Sequence, residues 1–196
     1  PAAIHQLATC YKDGSGTIAN DSLALKWYTV AADSGLVRSM SMLAKSYEEG
    51  IFTEKNREKA IEWYKRAAEE EEPYAMYKVA RMYEHDDSVA GKKGKTLRES
   101  EAIKLFTRAA ELKNVQAQMK LAECYGNGRY VKKNKKLRFN WLLRAANNGH
   151  MEAQELVGEC YEKGRGVKES DVKAYQYYKK AAEQGSALGK AKAEWY

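Results

Sequence analysis

The chain has 196 residues, 44% hydrophobic and 31% charged, with only two prolines and a formal net charge of +7. No apolar run approaches the roughly 18–20 residues that cross a bilayer, which excludes a membrane-spanning helix from the reading. Length alone fits one large or two small globular domains, but an internal repeat overrides that prior. An alanine pair recurs at Ala31-Ala32, Ala67-Ala68, Ala109-Ala110, Ala145-Ala146 and Ala181-Ala182, and a tyrosine at Tyr11, Tyr47, Tyr83, Tyr125 and Tyr161. Both series step by 36 residues, with one step of 42 that falls between Tyr83 and Tyr125 in the tyrosine series. A fixed period of this size marks stacked supersecondary units, which bury their apolar faces against their neighbours and build an extended surface rather than a closed pocket. That points to binding rather than catalysis.

The first repeat (1–36) carries Leu7, Ala8 and Tyr11, then Gly14 and Gly16, then Trp27 and Tyr28. Asn20-Asp21-Ser22 matches an N-glycosylation signal, but Asn20 or Asp21 reads better as a helix N-cap. The second (37–72) repeats the slots as Leu43, Ala44, Tyr47, Gly50, Ala60, Trp63 and Tyr64. The third (73–114) departs: Leu105-Phe106 replaces the aromatic pair, the glycine turn is missing, and residues are inserted around His85 to Ser100. The fourth (115–150) has Tyr130 in place of the second glycine. The fifth (151–186) is the cleanest, with Ala153, Leu156, Val157, Gly158 and Tyr161, then Gly164-Arg165-Gly166-Val167, then Asp171, Ala174, Tyr177, Tyr178, Ala181, Ala182 and Gly185. Apolar and small residues at spacings of three and four on both sides of the glycines predict an amphipathic helix, a turn and a second helix. Glycine suits the left-handed C-cap of the first helix, and Ser170 or Asp171 the N-cap of the second. A partial sixth repeat (187–196) closes the chain as an amphipathic cap or an interface. The expectation is a single all-α domain over 1–196, about five helix-turn-helix units plus a terminal half-repeat helix. It is expected to be a fragment of a longer protein, since both ends lie inside a repeat.

Cys10, Cys124 and Cys160 each sit directly before a repeat tyrosine. Equivalent positions of neighbouring repeats are separated by about 8–10 Å, beyond the roughly 7 Å a disulfide spans. Free thiols are therefore expected, which leans towards a reducing, cytoplasmic compartment. Only His5, His85 and His150 are present, none at the spacing of a metal-binding helix motif. His85-Asp86-Asp87 reads as an acidic turn. Gly91 to Thr96 imitates the end of a phosphate-binding loop but lacks the earlier glycine and the preceding strand. No cofactor and no catalytic residue are expected.

The pattern Ala-x-x-x-Leu-Gly-x-x-Tyr, Gly-x-Gly-Val, Lys-Ala-x-x-Trp-Tyr-x-x-Ala-Ala-x-x-Gly is legible from Ala153 to Gly185, with Tyr177 in the tryptophan slot. It resembles the Sel1-like repeat family, a near relative of tetratricopeptide repeats, over essentially the whole chain. The resemblance implies a right-handed α-solenoid and a scaffold or adaptor role, as in components of endoplasmic-reticulum-associated degradation, chitin synthase activators and bacterial factors that bind host proteins. The family's cysteine-rich branch pairs two cysteines within each repeat, and no repeat here has more than one. By the same resemblance, the first helix of each pair lines a concave groove that holds a peptide or partner protein. That assigns to the groove Arg38, Ser41, Lys45, Glu48 and Glu49, then Tyr74, Tyr77, Arg81, Glu84 and His85, then Gln116, Met119 and Glu123, then Glu152, Glu155, Glu159 and Glu162. A basic, aromatic centre is expected, with an acidic end in the fifth repeat.

Charge is uneven. Residues 1–98 hold 15 Lys and Arg against 15 Asp and Glu, while residues 99–196 hold 19 against 12. Arg129, Lys132, Lys133, Lys135, Lys136 and Arg138 place six cations within ten residues and no acid among them. With Lys92, Lys93 and Lys95 of the insertion they suggest a basic edge suited to an acidic or phosphorylated partner. Aromatics are not interleaved as base stacking needs, so nucleic acid is not the expected ligand. Two other readings stay open: a regulatory or substrate-docking module of a larger enzyme, such as a kinase or ubiquitin-ligase assembly, and a self-associating module.

Overall fold

A computed structural model describes residues 1–85 and 95–195, apart from the side chains of Lys95 and Thr96. Among the described residues every regular element is helical. One compact unit contains α1 (Ala2–Asp13), α2 (Asp21–Asp33), α3 (Val37–Glu49), α4 (Arg57–Glu69) and α5 (Pro73–His85). A second contains α6 (Lys95–Glu111), α7 (Val115–Asn127), α8 (Lys135–Asn147), α9 (Met151–Glu162), α10 (Asp171–Glu183) and α11 (Ala187–Ala193). Part of the insertion in repeat three is helical, lengthening α6 to 17 residues; Asp86, Asp87, Lys92 and Lys93 lie outside the described residues.

The repeat tyrosine and the alanine pair are each tied to a turn through their backbones. Where the first helix of a repeat ends, the carbonyl of the repeat tyrosine accepts from the N–H of the residue that caps the second helix. Asn20 reaches Tyr11 at 2.8 Å, Asn56 reaches Tyr47 at 2.8 Å, Asn134 reaches Tyr125 at 2.9 Å and Ser170 reaches Tyr161 at 3.0 Å. The side chains of the same four residues then accept from N–H groups that open α2, α4, α8 and α10.

Where the second helix ends, the first alanine accepts an N–H from five residues on and the second from three residues on. Leu36 N–H meets Ala31 at 3.1 Å and Gly35 N–H meets Ala32 at 2.9 Å, and the other four pairs repeat this. This is a Schellman closure, which needs a left-handed residue just past the helix. Gly35, Gly149 and Gly185 supply it at φ 85°, 87° and 98°, but Glu71 and Lys113 adopt it at φ 59° and 68°. The turn geometry therefore overrides side-chain preference at two of five closures.

Small residues let the helices approach to backbone contact. Ala31, Ala67, Ala109, Ala145 and Ala181 are fully buried, and a methyl placed on Gly158 would lie 2.8 Å from the Tyr178 ring. The aromatic pair divides its labour in a way sequence alone does not show. Its second member, at Tyr28, Tyr64, Phe106, Leu142 and Tyr178, is fully buried, whereas Trp27, Trp141 and Tyr177 are only partly buried. Cys124 and Cys160 are buried free thiols, and Cys10 is a partly exposed one.

Trp63 is 8% exposed with the Arg66 guanidinium over its ring, so Trp63→Ala is expected to cost about 3–5 kcal/mol on chemical denaturation. Conversely, Glu71→Gly and Lys113→Gly relieve left-handed backbone and are each expected to raise stability by about 0.5–1 kcal/mol. A loss of stability in both would contradict the closure described.

Candidate functional site

On α3 the side chains of Ser39, Met40, Leu43, Ala44 and Ser46 turn into the core, leaving Arg38 and Lys45 exposed. On α5 the buried set is Ala75, Met76, Val79 and Ala80. Tyr74 stays exposed, and Tyr77 and Arg81 are half-buried. The Tyr74 ring meets the buried Tyr64 edge-on, with centroids 6.2 Å apart. Arg81 donates to the Tyr77 hydroxyl at 3.4 Å and pairs through Nε with Glu84 at 3.3 Å. His85 lies 3.3 Å from the same guanidinium. This face of the first unit is thus aromatic, with its central positive charge partly shared with Glu84. Lys45 reaches Glu49 at only 4.0 Å with both groups half-exposed, a pair of little energetic consequence.

Glu48, expected in the groove, serves the fold. It accepts from the Tyr64 hydroxyl at 2.7 Å and from Lys78 of the next repeat. Burial first, and then the Glu48 contact, push the Tyr64 phenol above its ordinary value. The second unit repeats the device. Glu162 accepts from Tyr178 at 2.5 Å and from Lys192 at 2.6 Å. In both cases the tyrosine is 16 residues and the lysine 30 residues beyond the glutamate, a spacing that the repeat register could have exposed.

In the second unit the acidic end is largely neutralised by its own neighbours. Glu159 accepts from Lys163 at 2.7 Å and Arg165 at 3.1 Å, and Glu155 accepts from Ser186, the N-cap of α11. Met119 packs on the margin of the core, Glu123 pairs with Lys120 at 3.0 Å, and Glu152 remains exposed. Of the four groove acids expected in the fifth repeat, only Glu152 is exposed rather than half-buried.

The basic run lies on the turn before α8 and in its first turn. Lys132, Lys133, Lys135 and Lys136 are exposed, as is Arg129, whose guanidinium lies 4.8 Å from the Tyr130 ring centre. Lys135 and Lys136 open a helix whose first turn holds no acid, whereas α2, α4 and α10 place Asp21, Glu58 and Asp171 there. Cations at this end oppose the helix dipole, so the arrangement does not serve the stability of α8. The phosphate-loop imitation at Gly91 to Thr96 lies outside the residues whose side chains are described. Among the described residues no cluster of three metal-ligating side chains occurs, and no helix is long and apolar enough to cross a membrane.

A family model for the Sel1 repeat matches residues 1–36, 37–71, 73–114, 115–150 and 152–186. The chain belongs to the Sel1 repeat family. Sel1 repeats generally mediate protein–protein interaction, and proteins built of them are generally non-catalytic scaffolds. The chain is similar to a protective antigen of uropathogenic Escherichia coli that displays an SLR fold, with a TM-score of 0.85 and 24% identity over 99% of this chain and 40% of that one. It is also similar to a Sel1 repeat protein from Oxalobacter formigenes, at 0.79 and 29%, over 96% and 75% of the two chains. An immunity protein from Pseudomonas aeruginosa matches at 0.56 and 24%, over 97% and 67%. The likeness to the first and third concerns the fold alone: an all-α Sel1 solenoid. No curated protein matches the sequence.

Hydrogen bonds from Lys163, aided by the charges of Arg165 and Arg138, hold the Glu159 carboxyl below its ordinary 4.5, and those from Lys192 and Tyr178 do the same for Glu162. Their contribution to stability is complete above the unfolded value and is lost as pH falls through the depressed folded values. A Glu159→Gln, Glu162→Gln variant is therefore expected to show a smaller fall in Tm than the parent between about pH 6 and about pH 3. An equal fall would contradict these pairings.

Proposed function

We propose that the chain is a non-enzymatic scaffold or adaptor that holds a peptide or partner protein on the exposed faces of the first helices of its repeats. The observation that carries this is the exposed aromatic face of α5. Tyr74 is 39% exposed although its ring edge rests on the buried Tyr64, and Tyr77 and Arg81 stand half-open on the same helix. Tyrosine and arginine make strong anchors because they offer large contact area with little loss of conformational freedom. Arg38 and Lys45 on α3 extend the face within the first unit, and Glu48 with Lys78 ties the two helices together. In the second unit Met119, Glu123, Glu152, Glu155 and Glu159 are the corresponding candidates, with Glu152 the most available.

The basic run supports a second contact, with an acidic or phosphorylated partner. A cytoplasmic location accords with the unpaired state of Cys10, Cys124 and Cys160. The solved relative from uropathogenic Escherichia coli is more than twice as long as the segment matched, so catalysis or assembly by a larger protein containing this chain belongs to the same proposal.

The test is affinity capture with the parent and with a Tyr77→Ala, Arg81→Glu variant of equal Tm. A partner retained by the parent and lost from the variant is the expected result. Equal retention of every captured protein would remove the α5 face from the account.

A further inference from the structure

The basic run does not stand alone. Gly166, in the turn between α9 and α10, sits so close to the start of α8 that a methyl added to it would lie 2.1 Å from the Lys135 carbonyl oxygen and 3.1 Å from the Lys136 nitrogen. The turn of repeat five is thereby seated on the first turn of α8. The turn that carries Lys163, Arg165 and Lys168 thus meets the backbone of the basic run at Lys135 and Lys136. Of the nearby acids, Glu159 is engaged by Lys163 and Arg165, and Glu162 by Lys192 and Tyr178, while Glu169 and Asp171 are exposed and leave the cations of the two turns in excess. Among the described residues Lys132, Lys133, Lys135, Lys136 and Lys168 have no acidic partner. Two stems are also seated on glycines. The Lys133 stem lies over Gly128 and the Arg138 stem over Gly126, where an added methyl would meet them at 2.9 and 3.0 Å. Stems packed in this way leave less side-chain freedom to lose on binding.

We propose that the turns of repeats four and five form one cationic surface that docks an acidic peptide segment of a partner protein. The inference rests on the scaffold reading and names the chemistry of one partner. The opposed helix dipole shows that these lysines are not placed for stability. A lone phosphate seated on helix N–H groups fits poorly, because Asn134 takes the Leu137 N–H at 3.0 Å and the Gly166 turn covers the Lys136 nitrogen. The remaining recognition elements are side-chain cations spread over two turns, which complement spread negative charge along an extended segment. A nucleic-acid strand asks for exposed aromatic platforms, and the one aromatic within the run, Tyr130, is half-buried beneath Arg129.

The probe is a fluorescein-labelled peptide of alternating glutamate and serine, titrated by anisotropy into the full chain at low and at near-physiological salt. Lys135→Glu with Lys136→Glu, and separately Arg165→Glu with Lys168→Glu, are each expected to weaken binding by about tenfold or more. The first pair is also expected to raise Tm, because it reverses the clash with the helix dipole. Lost binding in a more stable protein cannot be a folding defect. Reversing Lys26 and Lys55 in the other unit changes net charge equally and should leave affinity unaltered. Equal loss there, or loss confined to one of the two turns, would overturn the shared surface. Tighter binding of a single-stranded oligonucleotide or of anionic vesicles would overturn the peptide assignment. Full peptide binding by the Tyr77→Ala, Arg81→Glu variant is expected, so failure on α5 and failure here are read separately.

Discussion

A pair of helices about a dozen residues long cannot bury its own apolar side, and everything else in this chain follows from how one pair closes on the next. Closure demands backbone-to-backbone approach, which is why alanines fill the positions of contact and why Gly158 admits the Tyr178 ring. It also demands that each chain reversal satisfy its own N–H and carbonyl groups, since a buried orphan costs more than a hydrogen bond gains. The tyrosine carbonyls and the Schellman closures meet that demand with the same residues in repeat after repeat. The period in the sequence is the imprint of those backbone contacts.

The seams between repeats are not all alike. In the first unit Met40 and Met76 occupy the buried slot on the first helix, and in the second Gln118 and Gln154 hold it. Gln118 donates to the Ala110 carbonyl at 3.0 Å and accepts from Asn148 at 3.1 Å; Gln154 donates to Ala146 at 3.3 Å and accepts from Gln184 at 2.7 Å. The second unit thus joins its repeats through satisfied amides, the first through flexible thioethers. Added to the glutamate–tyrosine–lysine bridges, these joints occupy much of each first helix. What remains exposed on it, such as Arg38 and Glu152, is surface that folding does not consume.

Where the backbone demand coincides with residue preference, the sequence was readable. Asn20 and Ser170 cap their helices, and the alanine pairs sit in the core. Where context overrides preference, it was not. Glu71, Lys113, Phe52 and Tyr130 adopt left-handed backbone that their side chains disfavour; the ring of Phe52 is held there by stacking 6.1 Å from Tyr28. The roles of Glu48 and Glu162 were missed because each lysine partner comes from the next helix pair, 30 residues on in sequence, and folding alone brings it into contact. The cationic surface was half legible: its charges stand in one run, but the neighbouring turn joins it only through the contact of Gly166 with α8.

Recognition is proposed to reside on the exposed residues of the first helices and on the basic turns with the first turn of α8, not in the core or on the other second helices. Hydrogen exchange of the chain with and without a captured partner tests it directly. New protection is expected across α3 and α5, or across the turn before α8 and the turn between α9 and α10. Protection gained only within α2, α4 and α10, with those segments unchanged, would contradict it.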